Sequence, residues 1–224
     1  MNVFCISDSL GLPRNGVKYE DSWYCLIQKE FPDINFYPFF LRDQTSSSLE
    51  DIFNNYLKYF RPEFSIVQLG ICDCAPRIIN SKRLFWRIYF KLFQLFNNTE
   101  VAWRIVKKFY KRNNPNRVVV PFEQFKKNNR CFVENCIKIR SKVVYISIPI
   151  PSSSLKEKSA LLEQNIRKYN SVYLELSNRY PDSVYILSPL FEGASDDYVE
   201  DGYHSNAKGF KKVTDAISFF LRDY

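Results

Sequence analysis

Five short runs rich in apolar, β-branched and aromatic residues fall at positions 2 to 6, 34 to 40, 64 to 69, 142 to 149 and 183 to 188, and stretches of helical periodicity separate them. Parallel strands require long crossovers, usually helical, so this alternation predicts an open parallel sheet with helices on both faces. Lys142 to Pro149 reads as the clearest central strand, while Phe64 to Leu69 runs into Gly70, where a strand would stop. Ligands of such sheets bind beyond the carboxyl ends of the strands. That rule singles out Ser9, after the first run, and Asp73, after the third.

Two helices have well-defined apolar stripes. Leu162, Ile166, Tyr169, Tyr173 and Leu176 form one; Ala207, Phe210, Val213, Ile217 and Phe220 or Leu221 form the other. Ser205 is the expected N-cap of the second, which places His204 immediately before a helix start. A chain of 224 residues with 46% hydrophobic and 17% aromatic residues can fill the core of one ordinary domain, which excludes a disordered or small disulfide-dependent protein. The opening Asn2-Val3-Phe4-Cys5-Ile6 lacks a basic n-region and a long apolar h-region, so it reads as a strand rather than a signal peptide. Charges interrupt every long apolar stretch, and no membrane span is expected. Six cysteines without an export signal are expected to be reduced thiols, which points to a cytoplasmic protein.

The segment from about 81 to 129 is longer than one crossover needs. Arg83, Arg87, Lys91 and Gln94 share one narrow face of a candidate helix, and a second basic helix around Trp103 to Arg112 would stop at Asn113-Asn114-Pro115. We expect a helical insertion within a single domain spanning residues 1 to 224, either packed on the sheet edge or serving as a face for an anionic membrane surface or protein partner. The excess of 32 Lys and Arg over 24 Asp and Glu gives a net charge of +8 and favours anionic partners. The basic segment matches no nucleic-acid recognition module, so nucleic acid is not an expected partner.

His204 is the only histidine, and it stands three residues after Asp201 in Asp201-Gly202-Tyr203-His204. Acyl transfer by serine needs a hydroxyl, a base beside it, a carboxylate that orients the base and donors for the developing oxyanion. Ser9, His204 and Asp201 supply the first three: on one loop, Asp201 can accept the Nδ1 proton while Nε2 faces Ser9 across the strand ends. The alternative for Ser9 alone is a serine that caps the next turn. Neither Cys72-x-Cys74 nor Cys131-x4-Cys136 has the paired spacing of a zinc site. No glycine-rich phosphate loop is present among the 6 glycines, and the chemistry calls for no cofactor.

With these motifs the sequence resembles the SGNH or GDSL hydrolase family, whose fold is a three-layer α/β/α flavodoxin-like sandwich. The family's Gly-Asp-Ser-Leu block is matched by Ser7-Asp8-Ser9-Leu10, with Ser7 in place of the glycine, and its Asp-x-x-His block by Asp201 to His204. The resemblance makes Ser9 the nucleophile and spans nearly the whole chain. It also implies oxyanion donors after the second and third strands. Their counterparts here are Asp43, in Arg42-Asp43-Gln44-Thr45, and Cys72, in Gly70-Ile71-Cys72-Asp73, where the family has a glycine and an asparagine. A backbone N–H serves at Asp43, but a thiol is a weak donor beside an amide. Either another group substitutes, with the backbone of Gly70, Arg77 or Arg42 as candidates, or catalysis is slowed. Both arginines alternatively pair with Asp43 and Asp73 to hold the loops. Similar stretches occur in SGNH-like proteins associated with bacterial surface-polysaccharide biosynthesis, so the expected substrate is an acylated carbohydrate or glycoconjugate. The expected activity is ester hydrolysis through an acyl-enzyme; the alternatives are an O-acyltransferase on the same fold and a non-catalytic binding module for an anionic glycan or lipid.

Overall fold

The computed structural model describes residues 1–14, 16–76, 91, 104 and 117–224. It divides into two units, Met1–Cys74 with Val120–Tyr224, and Ala75–Val119. The insertion expected at about 81 to 129 lies outside the described residues as far as 116, apart from positions 91 and 104. Its last residues, from Phe122, belong to a helix of the first unit.

In that unit β1 (Asn2–Ser7), β2 (Asn35–Phe40), β3 (Phe64–Gln68), β4 (Lys142–Ile146) and β5 (Val184–Leu187) form one parallel sheet in the order β2-β1-β3-β4-β5. Every residue of β3 is buried, as a central strand covered on both faces requires. Pro38, which cannot donate to a ladder, lies on the edge strand β2, opposite Cys5. The fourth strand ends at Ile146, earlier than the apolar run to Pro149 predicts. Pro149 and Pro151 lack an N–H, and Asn170 takes the bonds of Ile148, accepting from its N–H at 2.9 Å and donating to its carbonyl at 2.9 Å.

The helices form two outer layers. On one face α1 (Trp23–Glu30) packs beside α8 (Ala207–Arg222), and both cover Val3, Cys5, Phe64, Ile66, Val144 and Ile146. On the other, α2 (Leu49–Ile52) continues through a π turn at Phe53–Leu57 into α3 (Lys58–Phe60). This stretch packs with α5 (Phe122–Lys138), and α5 packs with α7 (Ala160–Arg179). Two further short helices, α4 (Ile71–Cys74) and α6 (Ser153–Lys158), follow β3 and β4. The α7 stripe read from the sequence is buried throughout, and Tyr173 stacks on Tyr145 of β4 with ring centroids 4.1 Å apart. Fully buried isoleucines such as Ile27, Ile66 and Ile217 each contribute about 2 to 3 kcal/mol by leaving water.

The stripe of α8 begins at Phe210; Ala207 is exposed. The N-cap is Asn206, whose side chain accepts from the Gly209 N–H at 3.1 Å, rather than the expected Ser205. Ser205 is held instead in an antiparallel bridge with Tyr198, which keeps its backbone extended and moves the helix start one residue along. The six cysteines form no disulfide. Among the described residues no helix is long and apolar enough to cross a membrane.

Candidate active site

The chain leaves β1 through a turn that its own side chains enforce. Asp8 Oδ1 accepts from the Leu10 N–H at 2.8 Å and closes a 3-10 turn over Ser9–Gly11. Gly11 lies against Ser7, where an added Cβ would meet Ser7 Oγ at 2.6 Å. Ser7, in the family's glycine position, uses its hydroxyl to donate to the carbonyl and Oε1 of Gln68 at 3.2 and 3.1 Å. Trp23 Nε1 donates to the same Oε1 at 2.9 Å. This buried network fixes the strand end, and Ser9 follows directly as the first residue of the turn. The turn bonds through the N–H groups of Gly11 and Leu12, so the Ser9 N–H takes no part in it.

The opposing loop is folded on the Tyr198–Ser205 bridge. Val199 donates to the His204 carbonyl and Gly202 to the Val199 carbonyl, both at 2.9 Å. Gly202 has φ +80°, a conformation that favours glycine. Asp201 Oδ1 accepts from the N–H groups of Tyr203 and His204 at 3.2 and 3.0 Å, which leaves Oδ2 to face His204 Nδ1 at 2.6 Å. On the far side of the ring His204 Nε2 stands 2.9 Å from Ser9 Oγ. Asp201, His204 and Ser9 are thus brought together in the order read from the sequence.

The imidazole is 1% exposed, and its burial lowers its pKa from 6.5. Asp201 opposes that shift, while the charges of Arg14 and Arg42 add to it. A neutral ring with its Nδ1 proton on Asp201 presents a lone pair at Nε2, the state a general base needs. Desolvation alone would raise the pKa of Asp201, but the His204 and Tyr203 bonds hold it below the ordinary carboxylate range.

Arg14, which the sequence analysis missed, donates from Nη2 to His204 Nε2 at 2.6 Å. Its position in Pro13-Arg14, a few residues past the candidate nucleophile, was the available signal; a partner 190 residues away in sequence was not readable. Arg14, Arg42, Glu200, Tyr203, Asp201 and His204 are among the residues lining a pocket of about 1000 Å³.

The other candidate donors are arranged differently. Asp43 adopts a left-handed conformation, φ 58°, two residues after Leu41, whose N–H donates to the Ser7 carbonyl at 3.1 Å. Gly70, φ +116°, is required twice over, because an added Cβ would also meet Ile148 Cδ1 at 2.5 Å. Cys72 is buried beside Asp8, and its thiol favours the charged form of that carboxyl. Asp73, expected at the cleft, is fully buried and directed into the protein: its carboxylate accepts from the Ser46 N–H at 2.9 and 3.2 Å and from the Ser46 hydroxyl at 2.6 Å. Asn128 Nδ2 donates to that hydroxyl at 3.1 Å. Among the described residues Asp73 is thus held by Ser46 rather than by an arginine. Burial pushes Asp8 up to about 7 and Asp73 up to about 6. Arg42 is exposed at the pocket, and Arg77 lies outside the described residues. Among the described residues no cluster of His, Cys, Asp or Glu could hold a metal ion.

No family model matches the sequence, and no curated protein matches it. Solved structures share its fold. A lipase/acylhydrolase from Enterococcus faecalis superposes with a TM-score of 0.68 at 11% identity, over 99% of this chain and 95% of that one. The psychrotrophic esterase EstA from a Pseudoalteromonas species gives 0.63 at 14%, over 99% and 97%. An acetylxylan esterase from Geobacillus stearothermophilus gives 0.63 at 10%, over 99% and 92%. The three-layer α/β/α architecture is also that of a G-D-S-L family lipolytic protein from Desulfitobacterium hafniense, which superposes with a TM-score of 0.63 at 14% identity.

Proposed function

We propose that the protein is a serine esterase of the SGNH type that hydrolyses an acyl ester of a carbohydrate or glycoconjugate. The observation that carries the reading is the unbroken relay from Asp201 through His204 to Ser9, with contacts of 2.6 and 2.9 Å, at the carboxyl end of β1. Ser9 Oγ attacks the ester carbonyl and gives its proton to Nε2. Collapse of the tetrahedral adduct breaks the bond to the leaving alcohol, which takes that proton, and water releases the acyl group by the same route. The N–H groups of Ser9, Asp43 and Gly70 are the candidate oxyanion donors.

The fold neighbours include an acetylxylan esterase, and the pocket is lined by Arg14, Arg42, Glu200 and Tyr203 rather than by an apolar slot. Both favour a polar, hydroxyl-rich substrate over a long lipid chain. Intact-mass measurement after treatment with a fluorophosphonate tests the mechanism: one adduct on the wild type and none on Ser9→Ala is the expected result. Wild-type protein that stays folded and unlabelled, and that releases no acetate from neutral or acidic acetylated sugars, would sink the reading in favour of a binding module.

A further inference from the structure

The imidazole of His204 offers one lone pair at Nε2, and two donors address it. Ser9 Oγ lies at 2.9 Å and Arg14 Nη2 at 2.6 Å. Because Nδ1 is committed to Asp201, a bond from Arg14 occupies the position that must receive the serine proton. The guanidinium is poorly served by this arrangement. A neutral nitrogen is a weak partner for a fixed cation, Arg14 Nε is buried without any partner, and among the described residues Arg14 makes no ion pair. Arg42 lines the same pocket, also without an ion pair among the described residues, and both arginines act on the charge of His204. Of the pocket's carboxylates, Asp201 is taken by His204, and Glu200 is exposed and pairs with neither arginine.

We propose that Arg14 and Arg42 form a subsite for an oxyanion carried by the ester substrate, a carboxylate or a phosphate, and that Arg14 leaves His204 for that anion when substrate binds. A guanidinium presents paired N–H donors that match two oxygens of such a group. Exchanging a neutral nitrogen for an anion supplies the drive, and it frees Nε2 for Ser9. The subsite thus rests on the esterase reading and narrows its substrate to anionic esters, such as those of acidic or phosphorylated sugars. Release of the base is coupled to recognition, so that an ester without the anion meets a capped base.

The test has two arms. In the first, succinate and inorganic phosphate are titrated calorimetrically at low ionic strength into Ser9→Ala and into the same protein carrying Arg14→Met or Arg42→Met, with thermal melts to establish folding. Binding weakened at least tenfold by each arginine substitution is expected, and the tighter ligand identifies the anion. Binding that neither substitution weakens, or no binding at all, overturns the subsite. In the second, turnover of 4-nitrophenyl acetate, which has no anion, is expected to rise several-fold in Arg14→Met; an unchanged or lower kcat in a folded variant overturns the release step. Ser9 left unlabelled by a fluorophosphonate would count against the esterase reading alone, because the titrations decide the subsite without turnover.

Discussion

On the side of the cleft formed by Ser9 and the Tyr198–Ser205 loop, each polar atom points at the next reacting group. On the side formed by Asp8, Cys72 and Asp73, the side chains turn inward: Cys72 lies against Asp8 and Asp73 bonds to Ser46, while Asp43 stays exposed. The first side keeps the residues that move protons. The second replaces a side-chain donor with two buried carboxyls whose pKa values have risen to about 7 and about 6. A site of this kind retains nucleophile and base while any stabilisation of the oxyanion falls to backbone groups, so the two sides should respond to mutation in different quantities. Changes on the first should alter kcat and leave stability alone. Changes on the second should alter stability and its pH dependence.

The largest expected effect lies on the first side. His204→Ala should lower kcat by about 10³-fold or more, and Asp201→Asn by about 10² to 10⁴-fold through the wrong tautomer. The melting temperature of Asp201→Asn should move little, since its side chain is 40% exposed and the loop is held by backbone bonds, whereas His204→Ala vacates a buried position and is compared only as folded protein. Steady-state kinetics on an acetyl ester beside thermal melts checks both statements; retained activity in His204→Ala would remove the base from the mechanism.

Asp8 should show the opposite behaviour. Its carboxyl binds protons more tightly in the folded protein than in the unfolded chain, so folded stability is highest below the ordinary value of 3.8, falls as pH rises to about 7, and is level above that. Asp8→Asn keeps an oxygen for the Leu10 N–H and removes the buried charge. A shift of this size corresponds to up to about 4 kcal/mol, gained at pH 8 and absent at pH 4. Denaturant melts at the two pH values measure it, and equal effects at both would show that burial is not what raises this group.

How much of this contrast was legible in the sequence follows from the range of the forces involved. The five strands, the α7 stripe and the Asp201-Gly202-Tyr203-His204 block are local patterns, in which period and spacing alone place the residues. Three features are not local. The Ser46 partner of Asp73 lies 27 residues away, and Arg14 meets His204 across 190. The N-cap falls on Asn206 because of a bridge between Ser205 and Tyr198, and two adjacent residues of equal capping tendency cannot be told apart by propensity. The inward turn of Cys72 and Asp73 likewise depends on what Asp8 and Ser46 offer them, so spacing after β3 led to the cleft when packing led away from it.

Cys72→Asn sharpens the comparison by returning an amide to the second side. A well-placed oxyanion donor is worth about 10²-fold or more in kcat, and an amide that must also satisfy Asp8 should recover part of that, roughly tenfold. The gain should appear in kcat rather than KM, because the oxyanion exists only in the transition state. A folded variant with unchanged kcat would mean that backbone groups already fill the hole.

The smallest effect concerns where along the pH axis the first side works. Burial lowers the pKa of His204, with Arg14 and Arg42 acting in the same sense and Asp201 against them; Ser9 hydrogen-bonds to the ring and Tyr203 packs on it, ring centroids 4.1 Å apart. Because the base must be unprotonated, activity should rise with pH through a midpoint below the ordinary 6.5 and reach its plateau by neutrality. Removing the Arg14 charge should move that midpoint upward and leave the sign of the limb unchanged. A kcat/KM profile of wild type and Arg14→Met between pH 4 and 9, about the span in which a histidine base reports, measures the shift. A midpoint that stays where it is would mean that the Arg14 charge does not act on Nε2, and would break the link between the arginine and the catalytic side of the cleft.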